Sequence, residues 1–192
     1  MNNELVNKVF DIWEQAKQHS PLAQKSAVSI STIDAEGFPQ SRFVDLKAVD
    51  RSGFTFCTSY ASEKGKHLSA NPKVALLAWW DHINYQIRVV GNAAPINDEL
   101  ADQYWHTRSK QAQIATTSFK QSEVWLEESS LTAHFEAKYS TADDVVSRPA
   151  SWGGYTIEAK SVEILQFKSN RVHHREYYSH QHGAWQRTLL QP

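Results

Sequence analysis

The chain has 192 residues, of which 41% are hydrophobic and 21% are charged, and its formal net charge is −1. This composition fits one globular domain over residues 1–192 with a sizeable core, and the near-zero charge argues against a protein that coats nucleic acid or acidic membranes. No apolar run could span a membrane, the polar first residues are no signal peptide, and a single cysteine, Cys57, favours a reducing cytoplasm.

The predicted elements begin with an amphipathic helix over residues 4–18, where apolar side chains recur at helical spacing. After it the pattern changes to the alternation of β-strands, and most connections are too short to hold a crossover helix. The sequence predicts strands over residues 26–33, 41–49, 54–58, 73–80, 84–94, 154–167, 171–178 and 184–189. Strands joined in this way predict an antiparallel meander and not a parallel sheet.

Further helices are predicted between the strands. Ser62 is a suitable N-cap for a short helix over 63–70, and acidic residues open a second helix over 98–107. Residues 123–138 have a helical rhythm, whereas 109–120 lack clear periodicity and are predicted to form a loop. The pattern therefore predicts a mainly β fold whose antiparallel sheet closes into a barrel with peripheral helices.

A cationic segment near the C-terminus is the most informative stretch of the chain. Arg171, His173 and Arg175 alternate within a predicted strand and would share one face of it. Like charges placed side by side cost stability unless an anion or a reacting group lies opposite them. The segment therefore predicts a site for an anion, and the alternative is an edge strand that charge protects from pairing with other strands.

A second group of basic and hydroxyl side chains lies earlier, and its members are Arg42, Lys47, Thr58, Ser62, Lys64 and Lys66. Ammonium groups, hydroxyls and the free amides of a helix N-terminus are what a phosphate monoester binds. No glycine-rich phosphate loop is present. Arg42 and Lys47 are five residues apart, so an unbroken strand would point them to opposite faces. Either the strand bulges or ends between them, or they serve different ligands.

Other polar residues could extend such a site. Tyr104 and Arg108 are four residues apart on a predicted helix and therefore share a face, as a second phosphate clamp or as an exposed stacking pair. Gln86, Gln121 and Ser122 carry neutral groups that suit the edge of a flat heterocycle.

Two other kinds of chemistry are disfavoured by the sequence. His173 and His174, and His180 and His182, have no recognised metal-ligand spacing, so no metal site is expected. The chain has no G-x-S-x-G motif, and Cys57 is expected to be a barrel residue and not a nucleophile.

Taken together, these stretches resemble the pyridoxamine 5′-phosphate oxidase family of FMN enzymes from about residue 26 to residue 192. The matching stretches are 41–47 (Ser-Arg-Phe-Val-Asp-Leu-Lys), 62–66 (Ser-Glu-Lys-Gly-Lys), 71–74 (Asn-Pro-Lys-Val), 120–122 (Lys-Gln-Ser), 152–155 (Trp-Gly-Gly-Tyr), 171–175 (Arg-Val-His-His-Arg) and 189–192 (Leu-Leu-Gln-Pro). Each stretch alone would be a weak indication. Their common order along one chain makes the resemblance specific.

The resemblance implies an FMN-binding split β-barrel that acts as a homodimer, with two FMN molecules at the subunit interface. By position, the FMN would be held by Arg42, Phe43, Val44, Lys47, Cys57, Thr58, Lys64, Gln86, Gln121, Ser122 and Arg175. The substrate phosphate would be bound by Lys47, Tyr104 and Arg108. Arg171 and His173 would lie over the substrate ring beside the flavin as the catalytic residues.

The chain departs from the family pattern at several positions. Glu63 stands where a basic residue is usual near the FMN phosphate, and Cys57 replaces a tyrosine. Ala112 replaces a serine that would donate to the substrate phosphate, and Leu165 replaces a tryptophan against the flavin. The chain also begins close to its first helix, without the basic N-terminal arm that helps to cover the substrate in longer members.

The function that the resemblance implies is oxidation of pyridoxamine or pyridoxine 5′-phosphate to pyridoxal 5′-phosphate, with oxygen as the acceptor. One alternative is a flavin oxidase of the same fold that acts on another flat reduced ring, such as a phenazine precursor. The other is a protein that binds FMN or pyridoxal phosphate without catalysis. The expected partners are a phosphorylated B6 vitamer and a second copy of the chain, and neither nucleic acid nor a membrane.

Overall fold

The structure, a computed structural model, describes residues 1–126 and 130–192. Its elements are, in chain order, α1 (Asn3–His19), β1 (Ala27–Ile33), β2 (Pro39–Val49), β3 (Phe54–Ser59), α2 (Glu63–Ala70), β4 (Lys73–Trp80), a 3-10 turn (Asp81–Ile83), β5 (Tyr85–Pro95), α3 (Asp98–His106), α4 (Lys110–Ser118), α5 (Leu131–Ser140), β6 (Trp152–Gln166), β7 (His174–Gln181) and β8 (Ala184–Leu190). Within the described ranges, no helix combines the length and the apolar content that crossing a bilayer requires.

The eight strands form one antiparallel sheet that closes on itself. Their order is β3-β2-β1-β4-β5-β6-β7-β8, and β3 also pairs with the first half of β6. This additional pairing, which runs from Phe54 opposite Ile157 to Ser59 opposite Trp152, closes six strands into a barrel. Strands β7 and β8 extend from the second half of β6 as a hairpin. The predicted mainly β barrel with peripheral helices is confirmed.

Helix α1 packs its apolar stripe against the barrel core. Leu5, Val9, Ile12 and Trp13 are buried in the same cluster as the inward-facing residues of the strands. The helix begins at an effective cap, because the Asn2 side chain accepts a hydrogen bond from the backbone N–H of Leu5. Because α1 covers part of the barrel, a ligand can reach only the parts of the barrel that α1 leaves uncovered.

The predicted loop over 109–120 is wrong, because most of this segment forms helix α4. Ser109 caps the helix by accepting a hydrogen bond at Oγ from the backbone N–H of Ala112, at 3.2 Å. The segment has only a weak apolar stripe, so periodicity alone gave no indication of the helix. The predicted helix over 123–138 is confirmed from Leu131 onward and is wrong at 123–126, which are irregular. The part of this prediction at 127–129 lies outside the described residues.

The prediction that Arg171, His173 and Arg175 share one strand face is also wrong. Strand β7 begins at His174, so Arg171 and His173 lie in the loop before it. Arg171 has a φ angle of +66°, which an extended strand does not allow. Its backbone N–H donates to the carbonyl of Lys168 in a tight turn, so the alternation of a strand does not reach this residue.

Strand β2 is irregular at Lys47. The register between β2 and β3 shifts between Leu46 and Ala48, which is the geometry of a β-bulge. The sequence left open whether β2 bulges or ends between Arg42 and Lys47, or whether the two side chains serve different ligands. The structure shows a bulge near Lys47. Because a bulge interrupts the alternation of side chains, Lys47 is not forced to the face opposite Arg42.

A buried carboxylate fastens α1 to the C-terminal hairpin. Glu176 on β7 is 3% exposed and forms ion pairs with Lys8 of α1 and Arg187 of β8, and His174 Nε2 lies 3.4 Å from it. Burial of the carboxyl opposes its ionisation, but the hydrogen bonds from Lys8 and Arg187 outweigh burial and lower the pKa of Glu176 to about 2.

We expect Glu176→Gln to destabilise the protein at neutral pH by on the order of 3 kcal/mol, because the folded pKa of Glu176 lies well below its ordinary value of 4.5. A lowered folded pKa contributes stability above the unfolded pKa, and that stability is lost as pH falls through the folded value. Urea denaturation at neutral pH and near pH 2 measures both effects. The variant and the native protein should converge at the lower pH.

A suitable control for that experiment is Glu158→Gln. Glu158 is exposed on β6 and forms no ion pair with any residue that the structure describes. Equal stability of the Glu176→Gln and Glu158→Gln proteins at neutral pH would contradict the role of Glu176.

Candidate active site

A cavity of about 500 Å³ lies where β2, β3 and the start of α2 meet α4. It is lined by Phe43, Val44, Cys57, Thr58, Ser59, Lys64, Arg108, Ala112, Ala115, Thr116, Phe119, Gln121 and Trp152. Seven of the predicted site residues are in this set. The sequence therefore predicted many of the lining residues, although it placed them on four separate elements and, for Gln121, on a connection between elements.

Lys64 supplies a buried cation to the cavity wall. Its Nζ atom lies 3.1 Å from Thr58 Oγ1 and 3.3 Å from both Ser62 Oγ and Gln121 Oε1. All three partners are neutral, and Lys64 has no carboxylate partner among the described residues. Burial lowers the pKa of Lys64, and repulsion by Arg42 lowers it further. A buried ammonium of this kind favours binding of an anion.

Arg42 lies near Lys64 and Lys47 lies near Cys57, but neither side chain lines the cavity. The Nη1 atom of Arg42 donates to Thr32 Oγ1 at 2.5 Å, and partial burial lowers the pKa of Arg42. Lys47 Nζ forms an ion pair with Asp45 Oδ2 at 2.6 Å and interacts electrostatically with Cys57 in the cavity wall. Arg42 therefore adds positive potential beside the cavity, whereas Asp45 offsets the charge of Lys47.

Cys57 is not a nucleophile in this arrangement. Burial raises the pKa of its thiol to about 12, although Lys47 and Arg108 act in the opposite direction. The thiol therefore stays protonated near neutral pH, and nucleophilic attack would need the thiolate. Tyr104 lies close enough to interact with Cys57, and burial is the main reason that the pKa of Tyr104 is raised. Tyr104 therefore stays a neutral phenol.

Arg108 supplies a second cation, at the α4 side of the cavity. Its guanidinium carbon lies 5.0 Å from the Trp152 ring centroid and 5.6 Å from that of Trp105. Its Nη2 atom donates to the Ala112 carbonyl and to Thr116 Oγ1, each at 2.9 Å. Burial lowers the pKa of Arg108, and no carboxylate among the described residues pairs with it.

An open apolar chamber adjoins the cavity. It shares Ala112, Ala115, Phe119 and Gln121 with the cavity walls and continues between α4 and α5. Ser122 lines this chamber and not the cavity, and its φ angle is +75°. Gln121 and Ser122 thus lie at the junction of the two spaces.

The other predicted site residues lie at the far end of β6. Gln86 on β5 and Arg175 on β7 are the direct neighbours of Leu165 on either side, so the three side chains share one outer face of the sheet. Arg175 is held there by Glu163, which is 3% exposed and lies 2.7 Å from Arg175 Nη2. The Nη1 atom of Arg175 donates to the carbonyl of Gln191 at 2.9 Å.

The loop before β7 orients His173 and Arg171 at this same end. The backbone N–H of Lys168 can only donate, so its 3.1 Å contact makes Nδ1 of His173 an acceptor. The neutral ring therefore carries its proton on Nε2 and presents a hydrogen-bond donor. Phe167 packs against the ring edge-to-face, with the centroids 5.3 Å apart. The left-handed backbone of Arg171 is rare for a non-glycine residue and often marks a functional constraint.

The predicted site is thus divided into two groups within one chain. The cavity group, which consists of the predicted residues that line the cavity, adjoins Trp152, the first residue of β6. The loop group, which consists of Gln86, Arg171, His173 and Arg175, adjoins Leu165 and Gln166 at the other end of β6. Leu165 lies thirteen positions after Trp152 along β6, which corresponds to roughly 40 Å of extended chain. One compact ligand is therefore not expected to contact both groups in the same chain.

Several cavity residues were missed from the sequence, namely Ser59, Ala115, Thr116, Phe119 and Trp152. Three of them lie in or next to α4, which was predicted to be a loop, and the Ser109 cap was the signal that could have revealed it. Glu63, where the family has a basic residue, is exposed, pairs with Lys66 and does not line the cavity. Within residues 1–126 and 130–192, no cluster of three metal-ligating side chains occurs.

Comparison with known families covers nearly the whole chain. Residues 14–141 match the family described as pyridoxamine 5′-phosphate oxidase, and residues 152–192 match the pyridoxine 5′-phosphate oxidase C-terminal dimerisation region. The pyridoxine/pyridoxamine 5′-phosphate oxidase of Idiomarina loihiensis is 37% identical over 96% of this chain and 88% of its own length. The corresponding protein of Thermosynechococcus vestitus is 35% identical over 95% of this chain and 87% of its own length.

Solved structures agree with this result. PhzG from Burkholderia lata, in complex with tetrahydrophenazine-1-carboxylic acid, has a TM-score of 0.88 and 25% identity, and the match covers 96% of this chain and 91% of PhzG. An FMN-binding protein of Nostoc punctiforme, related to pyridoxamine 5′-phosphate oxidase, shares the fold with a TM-score of 0.76 at 13% identity, over 95% and 96% of the two chains. The chain belongs to the pyridoxamine 5′-phosphate oxidase family.

Proposed function

We propose that this protein is an FMN-dependent oxidase that converts pyridoxamine or pyridoxine 5′-phosphate to pyridoxal 5′-phosphate, with oxygen as the electron acceptor. The observation that carries the proposal is a cavity lined by two cations that have no carboxylate partner among the described residues, Lys64, with Arg42 nearby, and Arg108. Two phosphate monoesters, one on the cofactor and one on the substrate, match these two groups. Because the single Cys57 cannot form an internal disulfide, we also propose a cytoplasmic location.

The residues present fit FMN. The buried Lys64 ammonium has only neutral partners and would bind the phosphate together with Arg42 and the start of α2. Phe43 and Val44 line the wall beside it and would contact the flat ring. When bound, FMN supplies the group that accepts a hydride from the substrate and passes the electrons to oxygen.

A second copy of the chain would complete the site. The outer face of the sheet that carries Arg175 also exposes Phe43, Leu77, Trp79 and Val90, which are 41–76% exposed. Exposed apolar side chains on one face are typical of a protein interface, and residues 152–192 match a dimerisation region. We infer a two-fold symmetric homodimer in which the partner's loop group faces the cavity group, which gives two FMN sites at the interface.

The residues have distinct roles in this proposal. Arg108, with Tyr104 and Lys47 nearby, would bind the substrate phosphate and fix the position of the substrate ring. The partner's loop would bring Arg171 over the ring, and His173 would donate from Nε2 to a polar group of the substrate. The protein therefore orients two flat rings, and none of these side chains has to act as a strong acid or base.

A second candidate is oxidation of another flat reduced ring. It is favoured by the similarity to PhzG, which was solved with a tetrahydrophenazine carboxylic acid, and by Ala112 and Leu165 in place of polar and aromatic residues. The grouping of Arg108 with Tyr104 and Lys47 opposes it, because three donors suit the three oxygens of a phosphate monoester better than a single carboxylate. A binding protein without catalysis is the third candidate.

The test is the visible spectrum of the purified protein, followed by a peroxide assay. We expect a yellow protein that forms peroxide with pyridoxine 5′-phosphate and far less with unphosphorylated pyridoxine. Equal turnover of both compounds would contradict a phosphate clamp and favour the second candidate. A yellow protein that forms no peroxide with either compound would contradict B6 oxidation and leave the second and third candidates. A colourless protein that binds no added FMN would contradict the proposal.

A further inference from the structure

The α4 wall of the cavity has an unusual composition for a phosphate site. Ala112, Ala115, Thr116 and Phe119 recur at helical spacing and all line the cavity. Only Thr116 among them carries a hydroxyl. It lies one helical turn after Ala112, the position where the family resemblance leads one to expect a serine.

Arg108 is held by this wall through one nitrogen only. Its Nη2 atom donates to Thr116 Oγ1 and to the Ala112 carbonyl, and the Thr116 hydroxyl donates to the same carbonyl at 2.9 Å. The Nε atom is buried and has no hydrogen-bond partner among the described residues. The guanidinium is therefore fixed through Nη2. Because Nε is enclosed, Nη1 is the nitrogen whose donors remain for a ligand in the cavity.

The surroundings of Arg108 are otherwise rigid. The rings of Trp105 and Trp152 pack against each other with centroids 5.0 Å apart at 65°, and the guanidinium lies against both of them. Gln113 Nε2 donates to the Trp105 carbonyl at 3.0 Å and so connects α3 to α4. With both helices fixed, the direction of the guanidinium depends on what its Nη2 atom contacts.

We propose that Thr116 is the positioning residue of the substrate-phosphate clamp and supplies, through Arg108, the hydroxyl function that Ala112 lacks. This inference rests on the proposed function and deepens it, because it names the side chain that makes the enzyme prefer a phosphorylated substrate. Thr116 orients Arg108 so that its remaining donors are directed at the phosphate monoester. Thr116 is not a catalytic residue, since it acts on binding through Arg108.

The test compares Thr116→Val with Thr117→Val in the FMN-loaded protein. Both substitutions keep a β-branched side chain and remove a hydroxyl that bonds to a helix carbonyl, but Thr117 is exposed and does not line the cavity. We expect Thr116→Val to raise KM for pyridoxine 5′-phosphate about tenfold with kcat little changed. Thr117→Val should have the native KM for pyridoxine 5′-phosphate. Thr116→Val should turn over unphosphorylated pyridoxine at the native rate, and Thr116→Ser should behave as the native protein.

A binding measurement separates this inference from the proposed function. The probe is 4-deoxypyridoxine 5′-phosphate, which lacks the oxidisable group, titrated by calorimetry beside its unphosphorylated form. A native protein that prefers the phosphorylated probe yet forms no peroxide with B6 phosphates would contradict the proposed function only. The clamp would still be tested by the expected tenfold loss of probe affinity in Thr116→Val.

Three results would overturn the inference about Thr116. The first is a Thr116→Val protein that matches Thr117→Val in KM and probe affinity. The second is an equal loss for phosphorylated and unphosphorylated compounds, which would indicate a general structural role. The third is a native protein with no preference for the phosphorylated probe, because then no phosphate clamp exists.

Discussion

Replacing Lys64 with Met is expected to release FMN while the apoprotein stays folded. Lys64 is buried among neutral oxygens and has no carboxylate partner among the residues that the structure describes. Removing a buried cation that binds an anion should weaken FMN binding by about 2–5 kcal/mol. The apoprotein should be as stable as the native apoprotein or more stable, since the cost of burying an ammonium disappears. Fluorescence titration with FMN and thermal unfolding of the apoprotein measure the two effects.

The control is Lys66→Met, two residues later on the same helix. Lys66 is exposed and pairs with Glu63 at 3.0 Å, so its removal should leave FMN affinity nearly unchanged. If both variants bind FMN as tightly as the native protein, Lys64 does not hold the phosphate. If Lys64→Met unfolds the apoprotein, the residue is structural and the cavity would need a different assignment.

Two inactive variants are expected to regain activity when they are combined in one dimer. Lys64→Met damages the cavity group, whereas Arg171→Ala damages the loop group and should lower kcat/KM about 100-fold with FMN still bound. If each site takes one group from each chain, a mixed dimer contains one undamaged site. Random pairing of equal amounts should then restore about a quarter of the native activity, measured as peroxide formation.

The control pair is Lys64→Met with Arg108→Met. Both substitutions affect the cavity group, so every site of a mixed dimer keeps one defect and no activity should return. His174→Ala is the control for the loop substitution Arg171→Ala. His174 Nε2 lies 3.4 Å from Glu176, whereas the neighbouring His173 accepts a hydrogen bond from the backbone N–H of Lys168. Recovery in both pairs, or in neither, would contradict a site shared between two chains.

The strands could be predicted because their pattern is local. Alternating burial in β1 follows directly from the sequence, and each observed strand lies within a few residues of its predicted bounds. In β4, which is apolar at nearly every position, only the structure shows that Leu77 and Trp79 face outward. Ser62 and its helix were predicted for the same reason, since a cap and the first turn lie within four residues. Where the local pattern was weak, as in α4, or where a left-handed residue ended it, as at Arg171, the prediction was wrong.

Part of the candidate site could also be predicted from the sequence, but its separation into a cavity group and a loop group could not. Residue types and the family resemblance indicated Lys64, Thr58 and Arg108, and the structure brings these three to one cavity. Thr116 carried no signal of its own, since a threonine in a predicted loop has no particular chemistry. Its contact with Arg108 exists only because α4 is a helix and packs beside α3.

The sequence by itself determined the kind of fold and the chemistry of its side chains, because side-chain alternation, caps and charges are properties of short segments. The tertiary structure decided which of these side chains meet. Pairing of β3 with β6 joins residues about a hundred positions apart, and the length of β6 separates the cavity group from Arg171 and His173. Such long-range contacts depend on how the whole barrel closes, which no local pattern specifies.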